Sequence, residues 1–148
     1  MNVTRRFAAT VLIGLPGALL AAAPQHFTLA ASFVPAAKPG ANAAVSVSFV
    51  PRDPDVRINE EPAPRLKLDP EQAVLVDKQR SAAASVKPYD PEGAKYIDLG
   101  APLSFPVALA PGVAKGPHAV KATVVYFYCS KREGWCRKGS TEVEFSVP

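Results

Sequence analysis

Residues 119–147 read AVKATVVYFYCSKREGWCRKGSTEVEFSV, and the division of this stretch decides the fold. Up to Cys129 it is almost wholly apolar. Successive side chains of a strand point to opposite faces, so Ala122, Val124, Tyr126 and Tyr128 take one side and Thr123, Val125 and Phe127 the other. A run apolar on both sides suits a strand in the middle of a sheet. At the far end Val143, Phe145 and Val147 alternate with Glu142, Glu144 and Ser146, which predicts a strand with one face in water. Cys129 ends the first strand, Cys136 precedes the second, and the polar residues between them read as a hairpin tip.

Upstream, the same alternation recurs in short pieces. Leu103, Phe105, Val107 and Leu109 share one face of a strand before the turn at Pro111-Gly112. Pro106 lies off that face, and proline in a strand predicts an edge position. Phe27, Leu29, Ala31 and Phe33 are spaced by two, and the strand stops at Pro35. After the turn signal Lys38-Pro39-Gly40, Val45, Val47 and Phe49 alternate with serines until Pro51. Val56–Asn59 and Arg65–Leu68 are shorter candidates. Asp69-Pro70-Glu71 could cap one helical turn, but the segment is short, and a strand over Ala73–Val76 is the favoured reading. Residues 78–93 read as a loop around Pro88, Asp90-Pro91 and Gly93.

Sixteen prolines scattered over 148 residues leave almost no room for long helices. Seven or eight short antiparallel strands, with turn signals every eight to twelve residues, predict an all-β chain folded as a β-sandwich. The expected core is Phe27, Phe33, Val45, Val47, Phe49, Leu66, Leu68, Phe105, Val107, Val124, Tyr126, Val143 and Phe145. Burial of such side chains contributes about 1.5–3 kcal/mol each, enough for one independent domain.

The first residues set the expected compartment. Arg5-Arg6 precedes an apolar run from Phe7 to Leu20, followed by Ala21, Ala22 and Ala23, the pattern of a secretory signal over residues 1–23. The run is short for a bilayer core of about 30 Å. The expected mature domain is therefore 24–148, periplasmic or secreted, with no membrane anchor after cleavage. Arg5-Arg6 also permits a twin-arginine route, which its flanking residues fit poorly. Loss of Arg5 and Arg6 lowers the formal charge from +4 to +2. A balance so small and so evenly spread gives no basis for nucleic-acid or anionic-membrane partners.

Two cysteines in an exported chain favour one intramolecular disulfide. Opposed residues of a hairpin lie about 4.5–5.5 Å apart at Cα, within reach of a bridge. Three roles fit the pair. It could be a structural clasp on the loop. It could be redox-active: Lys131, Arg132, Arg137 and Lys138 are nearby cations that would stabilise a thiolate. In that case Trp135, with Tyr126, Phe127 and Tyr128, could shield the sulfurs or dock a partner. As metal ligands, two cysteines alone cannot close a tetrahedral site, and no metal or other cofactor is expected. His26 and His118 read as surface residues. No nucleophile elbow, phosphate loop or spaced carboxylate pair is present, which weighs against a hydrolase.

The segment Val124-Val125-Tyr126-Phe127-Tyr128-Cys129, followed by Gly134-Trp135-Cys136 and an alternating strand to Val147, resembles the end of the DsbD N-terminal domain. That family comprises periplasmic immunoglobulin-like domains of thiol-disulfide interchange proteins. Pro39-Gly40 through Val45–Phe49, then Val56–Asn59, is similar to its early strands. Six residues separate the two cysteines here, where the family usually has five. The resemblance implies an immunoglobulin-like β-sandwich and a redox pair at Cys129 and Cys136, with Tyr126 and Trp135 as the aromatics preceding each cysteine. It also implies thiol-disulfide oxidoreductase activity, with a thioredoxin-fold or other thiol-disulfide protein as partner. The alternative is a non-catalytic accessory module whose disulfide is structural.

Overall fold

The structure is a computed structural model that describes residues 25–78 and 96–148. Residues 1–23, read from the sequence as a secretory signal, and nearly all of the expected loop at 78–93 lie outside the described residues. Eight strands follow in order: β1 Phe27–Val34, β2 Ala43–Pro51, β3 Val56–Ile58, β4 Arg65–Leu68, β5 Leu75–Asp77, β6 Leu103–Leu109, β7 His118–Ser130 and β8 Trp135–Val147. No helix occurs among the described residues.

The strands form two antiparallel sheets. One runs β1-β2-β6-β5. In the other, β7 pairs with β8 along its whole length on one edge and with β4 and then β3 on the opposite edge. The two-sided apolar run of β7 therefore occupies the middle of its sheet, as its sequence predicts. The inward residues of both sheets meet in one core, in keeping with a β-sandwich. Val45, Val47, Phe105 and Val107 face it from the first sheet, and Val120, Val124 and Val147 from the second, all at 0–1% exposure.

Eleven of the thirteen expected core residues are buried. Phe33 and Leu68 are half-buried and pack against the core from its margin. Val56, Ile58 and Ile97 are fully buried although their segments carry too few residues to show a period. Asp69-Pro70-Glu71 forms a turn in which Oδ1 of Asp69 accepts the Glu71 N–H at 3.0 Å. The strand that follows starts at Leu75, two residues later than the alternation predicts.

Pro106 is a correction. β6 is not an edge strand, because β2 pairs with one side and β5 with the other. Backbone N and C=O of one strand residue point to the same side. The Pro106 carbonyl accepts from Lys78 N at 3.1 Å, so its missing donor also faces the β5 side. Its ladder partner there would be Lys78, so the proline forfeits one bond of that pair, at the point where β5 ends at Asp77.

β8 begins well before its alternating part, because β7 holds it in register from Trp135 onward. Within this extension Gly139 lies opposite Tyr126. A Cβ on Gly139 would sit 2.5 Å from two atoms of the Tyr126 ring, so glycine leaves the space this buried ring fills. Gly139→Ala is expected to lower stability by about 1–3 kcal/mol through overpacking. Denaturant unfolding checks it: the midpoint falls with an unchanged slope.

Candidate functional site: the cysteine hairpin

β7 and β8 are joined by Lys131–Gly134, and Ser130 pairs with Trp135 at the base of this loop. Gly134, at φ 70°, closes the turn, and its N–H donates to the Ser130 carbonyl at 2.9 Å. One pair further from the tip, Cys129 and Cys136 face each other and are disulfide-bonded. Their Cα atoms are 4.0 Å apart, which marks a narrow, non-hydrogen-bonded pair of the antiparallel ladder. That is closer than the sequence-based expectation.

Directly opposed residues share a face, and residues two apart share it again. The disulfide therefore lies on the outer face of its sheet, with Val125 and Phe127 from β7 and Lys138 from β8. From the β3 side Arg57 pairs with Cys129, and the backbone N–H of Asn59 donates to the Phe127 carbonyl at 2.8 Å. Asn59 in turn forms a β-bridge with Tyr96, whose ring lies 5.2 Å from Lys131 Nζ. The two cysteines are unequal. Cys129 is 5% exposed, and its Sγ lies 3.1 Å from Oδ1 of Asn59. Cys136 is exposed.

The aromatics proposed to shield the sulfurs divide by the same parity. Phe127, two residues before Cys129, lies on the sulfur face. Tyr126, Tyr128 and Trp135 lie on the other face. Tyr126 is buried against Phe27 and Phe49, with ring centroids 5.7 and 5.3 Å away, and burial raises its phenol above the ordinary value of 10.0. Tyr128 packs edge-on to Phe27 and Trp135. His26, read from sequence as a surface residue, is half-buried with its ring 5.4 Å from Tyr128 and 5.5 Å from Trp135. His118 is half-buried too, and its Nε2 lies 2.7 Å from the Ala114 carbonyl oxygen.

The four cations also separate. Arg137 stacks on Trp135 at 4.4 Å, on the face away from the sulfurs. Arg132 Nε lies 3.9 Å from Asp55, and Lys131 sits over Tyr96. Lys138 shares the face of Cys136. It also lines a shallow cavity of about 450 Å³ with Lys67, Thr123, Val125, Ser140 and Glu142.

A polar network that the sequence did not disclose holds the hairpin tip. Ser130, 3% exposed, donates its hydroxyl to Asp55 in the β2–β3 loop and accepts the Glu133 N–H at 3.1 Å. The Arg132 N–H donates to both Asp55 oxygens at 3.2 and 3.3 Å. The Ser130 hydrogen bond, together with the Arg132 N–H and the charges of Arg132 and Arg57, holds the Asp55 carboxyl below its ordinary value of 3.8 against a smaller opposing effect of burial. Among the described residues no group of three or more His, Cys, Asp or Glu is placed to hold a metal ion. Among the same residues no helix is long and apolar enough to cross a membrane.

Asp55 supplies a pH signature. Its pKa is depressed on folding, so its contribution is complete above the unfolded value near 4 and is lost as pH falls through the folded value. Wild-type stability is expected to drop as pH falls below about 4, and Asp55→Asn should flatten that part of the curve. Denaturation midpoints at a series of pH values check it; identical slopes in the two proteins would contradict it. Set against protein-family models, curated proteins and solved structures, the chain finds no match.

Proposed function

We propose that the β7–β8 hairpin is a thiol-disulfide exchange site on an exported, immunoglobulin-like domain of the DsbD N-terminal type, with Cys136 as the sulfur that a partner reaches. The observation that carries this reading is the one-sided exposure of the bridge, with Cys136 open to solvent and Cys129 covered. Exchange proceeds by in-line attack of a thiolate on a disulfide sulfur, so an accessible sulfur is its first requirement.

In the direction that oxidises this domain, the Cys136 thiolate attacks one sulfur of the partner's disulfide. A Cys136–partner bond forms, the partner's bond breaks, and the departing thiolate takes a proton from water. Cys129 then gives up its proton, its thiolate attacks Cys136 Sγ, and the partner sulfur bound to Cys136 leaves as a thiolate. Two electrons have passed to the partner, and the Cys129–Cys136 bond is restored. A thioredoxin-fold protein or another thiol-disulfide protein, entering in its disulfide form, supplies the chemistry required of the partner.

The scaffold suits a bridge that opens and closes. The ring closed by the disulfide spans only eight residues, for which chain entropy gives roughly 2.5 kcal/mol. The β7–β8 ladder runs from His118↔Val147 to Ser130↔Trp135, and the Asp55–Ser130 network holds the tip independently of the sulfurs. Reduction leaves both in place.

The second reading is an accessory module with a structural clasp, favoured by the cover over Cys129. The two separate on trapping. With a purified thioredoxin-fold protein as the probe, Cys129→Ser is expected to accumulate a mixed disulfide at Cys136, and Cys136→Ser to form it at least about tenfold more slowly. Absence of adduct from Cys129→Ser would favour the clasp.

A further inference from the structure

Asn59 stands where the two cysteines become chemically different. Its backbone is fixed on both sides, by the N–H donated to the Phe127 carbonyl at 2.8 Å and by the bridge to Tyr96. Its carboxamide oxygen is thereby held 3.1 Å from Cys129 Sγ. In the bridged state that sulfur carries no hydrogen, and the approach is a polar contact without a donor. Reduction changes it. Cys129 gains an S–H, a weak donor, with an acceptor already in hydrogen-bonding reach.

A hydrogen bond that only the neutral thiol can donate favours the neutral thiol, and burial acts in the same direction by disfavouring the thiolate. Both act on Cys129. Cys136 is exposed, and it shares its face with Lys138, two residues on, whose positive charge favours ionisation there. We propose that Asn59 is a positioning residue that keeps the proton on reduced Cys129 and so assigns the attacking thiolate to Cys136. This deepens the exchange reading and rests on it. It also bears on the second half of the reaction, because the proton retained by Cys129 must leave before Cys129 can resolve the mixed disulfide.

The test needs no partner. The protein is reduced, the reductant is removed, and brief iodoacetamide pulses are applied across about pH 6 to 10, bracketing the ordinary thiol value near 8.5. Mass spectrometry then reads Cys129 and Cys136 separately. In the wild type, Cys136 should be alkylated at least about tenfold faster than Cys129 at neutral pH, with the Cys129 midpoint above 8.5. Asn59→Ala should move the Cys129 midpoint down and shrink the preference several-fold. Asn59→Asp, of the same size and still an acceptor, should move it up.

An unchanged or raised Cys129 midpoint in Asn59→Ala would overturn the proposal. A rise is what an amide turned to donate through Nδ2 would produce. A second measurement does not depend on the Asn59 variants folding. In reduced Cys136→Ser only the Cys129 S–H remains, and its infrared stretch should lie below that of the same thiol in urea. An unshifted band would also overturn the assignment. Shifted midpoints without trapping of the thioredoxin-fold probe would leave the role of Asn59 standing and remove exchange. Trapping at Cys136 with unmoved midpoints would do the reverse.

Discussion

The pairing of β7 with β8 is the constraint on which the rest of the molecule depends. It extends from His118↔Val147 at one end to Ser130↔Trp135 at the other. A single register decides every side chain along it, since a slip of one residue would exchange the two faces throughout. The same register sends Val120, Ala122, Val124, Val143, Phe145 and Val147 into the core and brings Cys129 opposite Cys136. Burial and bond formation are thus two results of one alignment. With β8 on one edge and β3 and β4 on the other, β7 has no free edge near the cysteines. Gly139 adds a local lock, because only a residue without a Cβ leaves room for the buried ring of Tyr126.

That register also decides what surrounds the sulfurs. Most aromatic mass near the hairpin faces inward, where Phe27, Phe49, Tyr126, Tyr128, Trp135 and His26 form a continuous set of ring contacts. It stiffens the end of the sheet from behind. The chemistry faces outward, where Asn59, Arg57, Phe127 and Lys138 are the neighbours. Stiffness on one face and access on the other is what an exchange site requires, because its two thiols must stay opposed when the bond between them is broken.

Much of the fold was legible from the chain, for a physical reason. Where a strand is long and half-buried, its alternation is written in the residues, as in β2, β6 and the second half of β8. The cysteine pair was legible because hairpin neighbours in sequence are also neighbours in space. What stayed hidden depends on pairings between distant segments. β3 has only three residues, too few to show a period, yet it delivers Arg57 and leads to Asn59 beside Cys129. The contact between Asp55 and Ser130 joins residues 75 apart, and nothing local to either announces it. The misplacement of Pro106 has the same origin, since the neighbours of β6 come from elsewhere in the chain. One missed feature was available locally: the two-residue period already places Phe127 with Cys129, and Tyr126, Tyr128 and Trp135 opposite.

The central claim is that the bridge between Cys129 and Cys136 opens and closes in service rather than clasping the hairpin permanently. Its reduction potential, obtained by thiol trapping across a series of redox buffers, tests this most directly. The account predicts a value between about −270 and −120 mV, the range of working oxidoreductases. A value well below about −300 mV, the range of structural disulfides in secreted proteins, would contradict it.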